Sequence, residues 1–123
     1  MMDPEAWAAA YNSGDIEAIL RHVAEDATYV NHRFGVDIAG KAAWRELLKQ
    51  IVSEWPQREV VVRNGWSGPD HFALEISFSL TAGASTEVAG LRLGPGERFT
   101  AELLMLVETR DGLITAQRDY WAI

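Results

Sequence analysis

Cysteine is absent from the 123 residues. That excludes disulfides, thiol catalysis and thiolate metal sites together. Histidine is scarce: His22, His32 and His71 are scattered without the paired spacing of metal ligands, so no metal site is expected. Basic residues are few, 11 Lys and Arg against 18 Asp and Glu, and they form no cluster. Neutralising phosphates needs cations gathered on one face, so neither nucleic acid nor an anionic membrane is an expected partner. No apolar run approaches the ~18 residues of a membrane span. The opening MMDPEAWAAA is acidic and lacks the apolar core of a signal peptide, so the expected compartment is the cytoplasm.

What remains is an apolar, aromatic chain, 48% hydrophobic with five Trp. This length suits a single domain over residues 1–123 with a real core. Asp3 and Pro4 read as the cap and first residue of a helix that places Trp7 and Tyr11 on one face. Asn12-Ser13-Gly14-Asp15 stops it, and Asp15 caps a second helix over DIEAILRHVAED. ATYVNHRF reads as a short strand. AGKAAWRELLKQIVSEW carries Trp44, Leu47, Leu48, Ile51 and Trp55 at helical spacing, and Pro56 ends it. From there the pattern is one of strands. Phe72, Leu74, Ile76, Phe78 and Leu80 alternate with polar residues, as do Phe99, Ala101, Leu103, Met105 and Val107. The Gly-rich stretch between these runs reads as a long excursion with one poor strand. An Asp111-Gly112 turn leads into the last strand.

Three N-terminal helices on a curved, mostly antiparallel (mixed) sheet make an α+β fold, and a strongly bent sheet closes towards a cone-shaped barrel with a hollow end. On the last strand, Gln117, Asp119 and Trp121 share one face. If that face lines the hollow, Asp119 looks onto Ile76, Phe78, Ala101, Leu103 and Met105, and desolvation raises its pKa into the range of a general acid/base. The plainer reading is a solvated rim carboxylate paired with Arg118 or Arg98. Tyr29 and Asn31, two apart on one strand, are candidates to hold a substrate oxygen or a water. Trp121 and Trp66 are candidate walls, Trp7 and Tyr11 a candidate mouth, and His32 a further candidate. Glu75 and Glu102 fall on the opposite sheet face, which permits a homodimer.

The phrase YNSGDIEAILRHVAEDATYVN near the start, with GPGERF and DGLITAQRDYW at the end, resembles the nuclear transport factor 2-like superfamily. Within it the chain is most similar to SnoaL-like polyketide cyclases and limonene epoxide hydrolases. The resemblance implies a deep apolar cavity, no cofactor, an apolar small-molecule substrate, and a dimer through the sheet. It also implies that Asp119, in Arg118-Asp119-Tyr120, is an acid/base residue, and that Tyr29 and Asn31 belong to the same site. The epoxide hydrolases add an Arg and a second Asp on the middle strand, where this chain has Ile76 and Phe78. The expected function is therefore a cofactor-independent cyclase or isomerase acting on a polyketide- or terpenoid-like molecule. The alternatives are an epoxide hydrolase or epoxide-opening cyclase, and a binding module of the same fold without chemistry.

Overall fold

The computed structural model describes residues 3–123. Helix α1 (Pro4–Ser13) starts where the Asp3 side chain accepts a hydrogen bond from Glu5 N at 3.0 Å. It ends at Gly14, whose φ of 73° is left-handed backbone that glycine adopts without a Cβ penalty. Asn12, in the same phrase, has a tertiary role. Its side chain donates to Val60 O (2.9 Å) and accepts from Val60 N (2.8 Å), so it pairs with an edge strand as a neighbouring strand would.

Helix α2 (Ile16–Leu20) is capped by Asp15, which accepts from Ala18 N. It is shorter than the expected span to Asp26, because β1 (Val23–Asn31) already begins at Val23. The helical spacing of Ile16, Ile19 and Leu20 continues into Val23 by coincidence: Val23 is buried as a strand residue opposite Ile114 of the last strand. After a short 3-10 turn (His32–Phe34) comes β2 (Val36–Ala39), a strand the sequence pattern did not reveal. Helix α3 (Lys41–Glu54) buries Trp44 and Leu48.

Four further strands belong to the main sheet or its excursion: β3 (Arg58–Ser67), β4 (His71–Thr81), β5 (Thr86–Val88) and β6 (Leu91–Leu93). Then β7 (Arg98–Arg110) and β8 (Leu113–Trp121) complete the chain. The six-stranded sheet runs β2-β1-β8-β7-β4-β3. Every pairing is antiparallel except β1 with β8, which is parallel. The Gly-rich excursion holds a β5–β6 hairpin instead of one poor strand, and it buries Val88 and Leu93. Ala89 and Gly90 both have positive φ at its turn.

The core lies between the helices and the inner sheet face. The alternating residues Phe72, Leu74, Ile76, Phe78 and Leu80 of β4 are all buried, as are Phe99, Ala101, Leu103, Met105 and Val107 of β7. Each fully buried aliphatic or aromatic side chain of this set contributes roughly 1.5–3 kcal/mol of burial free energy. Glu75 and Glu102 are exposed on the opposite face.

Candidate active site

The core does not fill the space it encloses. A cavity of about 310 Å³ opens between α1, α3 and the inner face of the sheet. Its walls are mainly hydrocarbon: Ile76 and Phe78 from β4, Leu103 and Met105 from β7, and Leu47 and Ile51 from α3. Four rings form a closed edge-to-face cluster along it. Phe34 meets Trp121 at 5.2 Å and Trp55 at 6.3 Å, and Phe78 meets Trp121 at 5.1 Å and Trp55 at 6.0 Å. Pairs in such tilted geometry attract beyond their area burial.

The polar groups around Asp119 come from two adjacent strands; Tyr11 of α1 and the exposed Gln50 and Glu54 of α3 also line the cavity. In the parallel ladder Tyr29 is opposite Gln117 and Asn31 is opposite Asp119. On the other side of β8, Met105 pairs with Asp119 and Leu103 with Trp121. Asp119 is thus set between an amide and a thioether, facing the hollow. The Tyr29 hydroxyl donates to Asp119 Oδ2 at 2.6 Å, a short charge-assisted bond. Gln117 Nε2 donates to Oδ1 at 3.2 Å. Asn31 Nδ2 donates to Tyr29 Oη at 3.2 Å, while its Oδ1 accepts from Phe34 N at 3.4 Å and caps the 3-10 turn. Gln117 Oε1 and Trp121 Nε1 are buried without a partner.

These surroundings raise two pKa values, both through burial first. Burial raises the Asp119 carboxyl to about 6, against the lowering effect of the hydrogen bonds from Tyr29 and Gln117. Desolvation prevails because the carboxylate's remaining exposure is onto a hydrocarbon-walled space. Tyr29 is raised well above its ordinary value, first by burial and then by the Asp119 charge and hydrogen bond. It therefore stays protonated and donates to Asp119 throughout the neutral range.

The structure brings Asp119, Tyr29, Asn31, Gln117, Trp121, Ile76, Phe78, Leu103, Met105, Trp7 and Tyr11 to one cavity. It keeps two candidates away. Trp66, on β3 beyond the bulge between Val62 and Asn64, is 54% exposed, because the register shift carries that end of the strand off the core. His32 sits in the 3-10 turn, exposed, with Tyr120 as its aromatic neighbour at 6.3 Å. Tyr29 and Asn31 stand together at the cavity as expected, and in addition they orient the acid: the Tyr29 hydroxyl donates to Asp119, and Asn31 gives one amide hydrogen to Tyr29. Sequence reasoning missed Phe34, Val36 and the whole α3 contribution, since a helical apolar stripe reads as core whether or not the core is hollow. It missed Arg58 as well, a buried residue, 7% exposed, whose guanidinium lies over the Tyr11 ring.

The sequence pattern of the SnoaL-like domain matches residues 5–117. The chain belongs to the SnoaL-like family. This SnoaL-like protein is also similar in structure to several solved proteins. A protein of ketosteroid isomerase-like fold from Catenulispora acidiphila DSM 44928, solved with trimethylamine, superposes with a TM-score of 0.82 at 21% identity, covering 100% of this chain and 88% of that one. IdmH of Streptomyces antibioticus, assigned as a polyketide cyclase, gives 0.79 at 20% identity, covering 96% and 88%. An epoxide hydrolase from M. tuberculosis, of the LEH-like type, gives 0.75 at 21% identity, covering 95% and 77%. At these identities the likeness is one of fold. No curated protein matches the SnoaL-like chain by sequence.

Proposed function

We propose that this protein is a cofactor-independent acid/base enzyme of the cyclase or isomerase type, with Asp119 as the proton-transferring group. The observation that carries the reading is a carboxyl raised to about 6, held by two donors at the wall of an apolar, ring-lined cavity. A base of that strength removes a proton from carbon only where a neighbouring carbonyl accepts the electron pair, so the substrate carries a ketone or an ester. The clustered rings of Phe34, Trp55, Phe78 and Trp121 favour a flat, cyclic or polyketide-like body. The likeness to IdmH supports the same substrate class. Deprotonation gives an enolate. It closes a ring on a second carbonyl or recovers its proton from Asp119 at another carbon. General acid/base help supplies roughly 10²–10⁴ in rate, and the cavity's shape supplies the rest by holding the reacting carbons together.

The epoxide-opening alternative has less support. Tyr29 and Asp119 touch directly, so no water bridges that pair, and Ile76 and Phe78 occupy the middle strand where those enzymes place their Arg and second Asp. The expected homodimer fits the uncovered sheet face, where Leu104 and Tyr120 are cross-strand neighbours and both are exposed; sedimentation of a Leu104→Glu, Tyr120→Glu double variant tests it, and no change in mass would refute it. For the chemistry, solvent deuterium exchange at the α-carbon of a two-ring ketone such as 2-tetralone, followed by NMR, is the direct assay. Wild type should catalyse it and Asp119→Asn should not; equal rates in the two proteins would end the assignment.

A further inference from the structure

The cavity's polar groups lie on the sheet, on α1 and, at the exposed Gln50 and Glu54, on α3; the first two walls face the acid. On the sheet wall Tyr29 and Gln117 donate to Asp119, and Asn31 donates to Tyr29. The Asn31 and Gln117 amides each keep a second hydrogen, and Trp121 Nε1 is buried, but the one hydroxyl proton of this wall, that of Tyr29, is committed to Asp119 and does not meet the negative charge that forms on a substrate oxygen when Asp119 takes a proton from carbon. On the α1 wall, Tyr11 lines the same cavity; its hydroxyl proton is given to no protein acceptor among the described residues, while Arg58 acts on that hydroxyl as a donor and as a charge. Over its ring lies the Arg58 guanidinium, 4.8 Å from the centroid. Arg58 is buried, yet no carboxylate pairs with it among the described residues. Its Nη2 donates to Tyr11 O at 2.7 Å and its Nη1 to Trp55 O at 3.4 Å, the carbonyls at the C-terminal ends of α1 and α3. Nε has no partner. A positive charge is thus fixed against Tyr11 and left without an acid to neutralise it.

We propose that Tyr11 is the hydrogen-bond donor to the substrate oxygen that becomes negative, and that Arg58 is the positioning residue that fixes the Tyr11 ring and sets a positive field behind it. The proposal rests on the reading of Asp119 as the base. In the step, the C–H proton passes to an Asp119 oxygen, the C–H pair becomes the C=C bond, and the carbonyl pair moves onto oxygen. The Tyr11 hydroxyl hydrogen-bonds that oxygen without transferring its proton. When the proton returns to carbon, the electron movement reverses. Burial raises the Tyr11 hydroxyl and the Asp119 charge adds to this, against a lowering effect of Arg58, so the phenol stays protonated and able to donate. That Asp119 acts on Tyr11 across the cavity fits two walls addressing one ligand. A field already in place before the reaction costs no reorganisation as charge develops.

The test pairs 2-tetralone exchange with binding of 2-naphthol, which resembles the enol of that ketone, and of naphthalene, which lacks the hydroxyl. Tyr11→Phe keeps the ring. It should cut the exchange kcat by roughly 10²–10³, with little change in KM. It should also weaken 2-naphthol by roughly tenfold to a hundredfold and leave naphthalene unchanged. Arg58→Met should raise the pH at which bound 2-naphthol ionises, read by absorbance, and Arg58→Lys should restore it in part. Arg58→Met weakening naphthalene and 2-naphthol equally would make Arg58 structural only and overturn its part. Tyr11→Phe leaving exchange and naphthol preference intact, while Asp119→Asn abolishes exchange, overturns the proposal and leaves Asp119 as the base. Exchange that survives Asp119→Asn, or a wild type that neither exchanges 2-tetralone nor binds 2-naphthol, overturns both.

Discussion

Two hollows in this protein hold a carboxylate, and they differ in everything except that. The larger, about 640 Å³, is an open groove at the far end of the sheet, lined by Trp66, Asp70, His71, Glu108 and Arg118 among others. There Asp70 is exposed, and a hydrogen bond with His71 at 3.0 Å holds its carboxyl below the ordinary value. The smaller, about 310 Å³, contains Asp119, and burial raises that carboxyl to about 6. Size does not mark the reactive place. Water and the hydrogen bond with His71 keep Asp70 ionised and a poor base, whereas hydrocarbon around Asp119 makes protonation easy enough to be useful.

The difference predicts opposite behaviour, and the largest effect is on rate. Asp119→Asn should lower ketone exchange by roughly 10²–10⁴, while His71→Ala in the groove should leave it unchanged. Equal losses in the two variants would erase the distinction. Next comes pH. As a base Asp119 works ionised, so kcat/KM should climb through about 6 and level above it. A profile flat from pH 4 to 8 would contradict the tuning.

Stability should run the other way. Between the ordinary 3.8 and about 6, folded Asp119 holds a proton that the unfolded chain has released. Stability therefore falls as pH rises across that window, by roughly 3 kcal/mol once both states are ionised. Asp119→Asn should recover most of this above pH 6, measured as a higher urea midpoint, and a less stable variant at pH 7 would be the contrary result. Asp70 has the opposite sign: its pairing stabilises at neutral pH and is lost in acid. A smaller effect is expected of Tyr29→Phe. Removing that donor should raise the Asp119 carboxyl further, read by carboxyl NMR, and an unmoved titration would contradict the bond's role. The smallest is Trp66→Ser in the groove, expected to move stability by no more than about 0.5 kcal/mol and activity not at all.

The alternating strands were legible because period-two patterning with one dry face leaves little freedom. All five inward residues of β4 and of β7 lie where their pattern put them. The caps at Asp3 and Asp15 were legible because they need only local hydrogen bonds. The end of α2 was not, since Val23 satisfies a helical and a strand pattern equally, and its pairing with Ile114 decides between them. Trp66 was misplaced for a similar reason: a bulge redirects a side chain that a regular strand would have pointed elsewhere. His32 needed a bend to turn it towards the Asn31 face, and the 3-10 turn that begins there leaves it exposed instead. The hollow itself was illegible in α3, where Trp44, Leu47, Leu48, Ile51 and Trp55 read alike as core or as cavity wall.

From its sequence alone this protein carried its strand faces, its caps and the side of the last strand that bears Asp119, because periodicity and capping are properties of neighbouring residues. Tertiary structure decided what that carboxylate touches. Tyr29 and Asn31 meet Gln117 and Asp119 only because β1 lies parallel to β8, a pairing about ninety residues apart in the chain. No local pattern specifies which strand will be a neighbour, and the desolvation that tunes an acid depends on the whole surrounding volume.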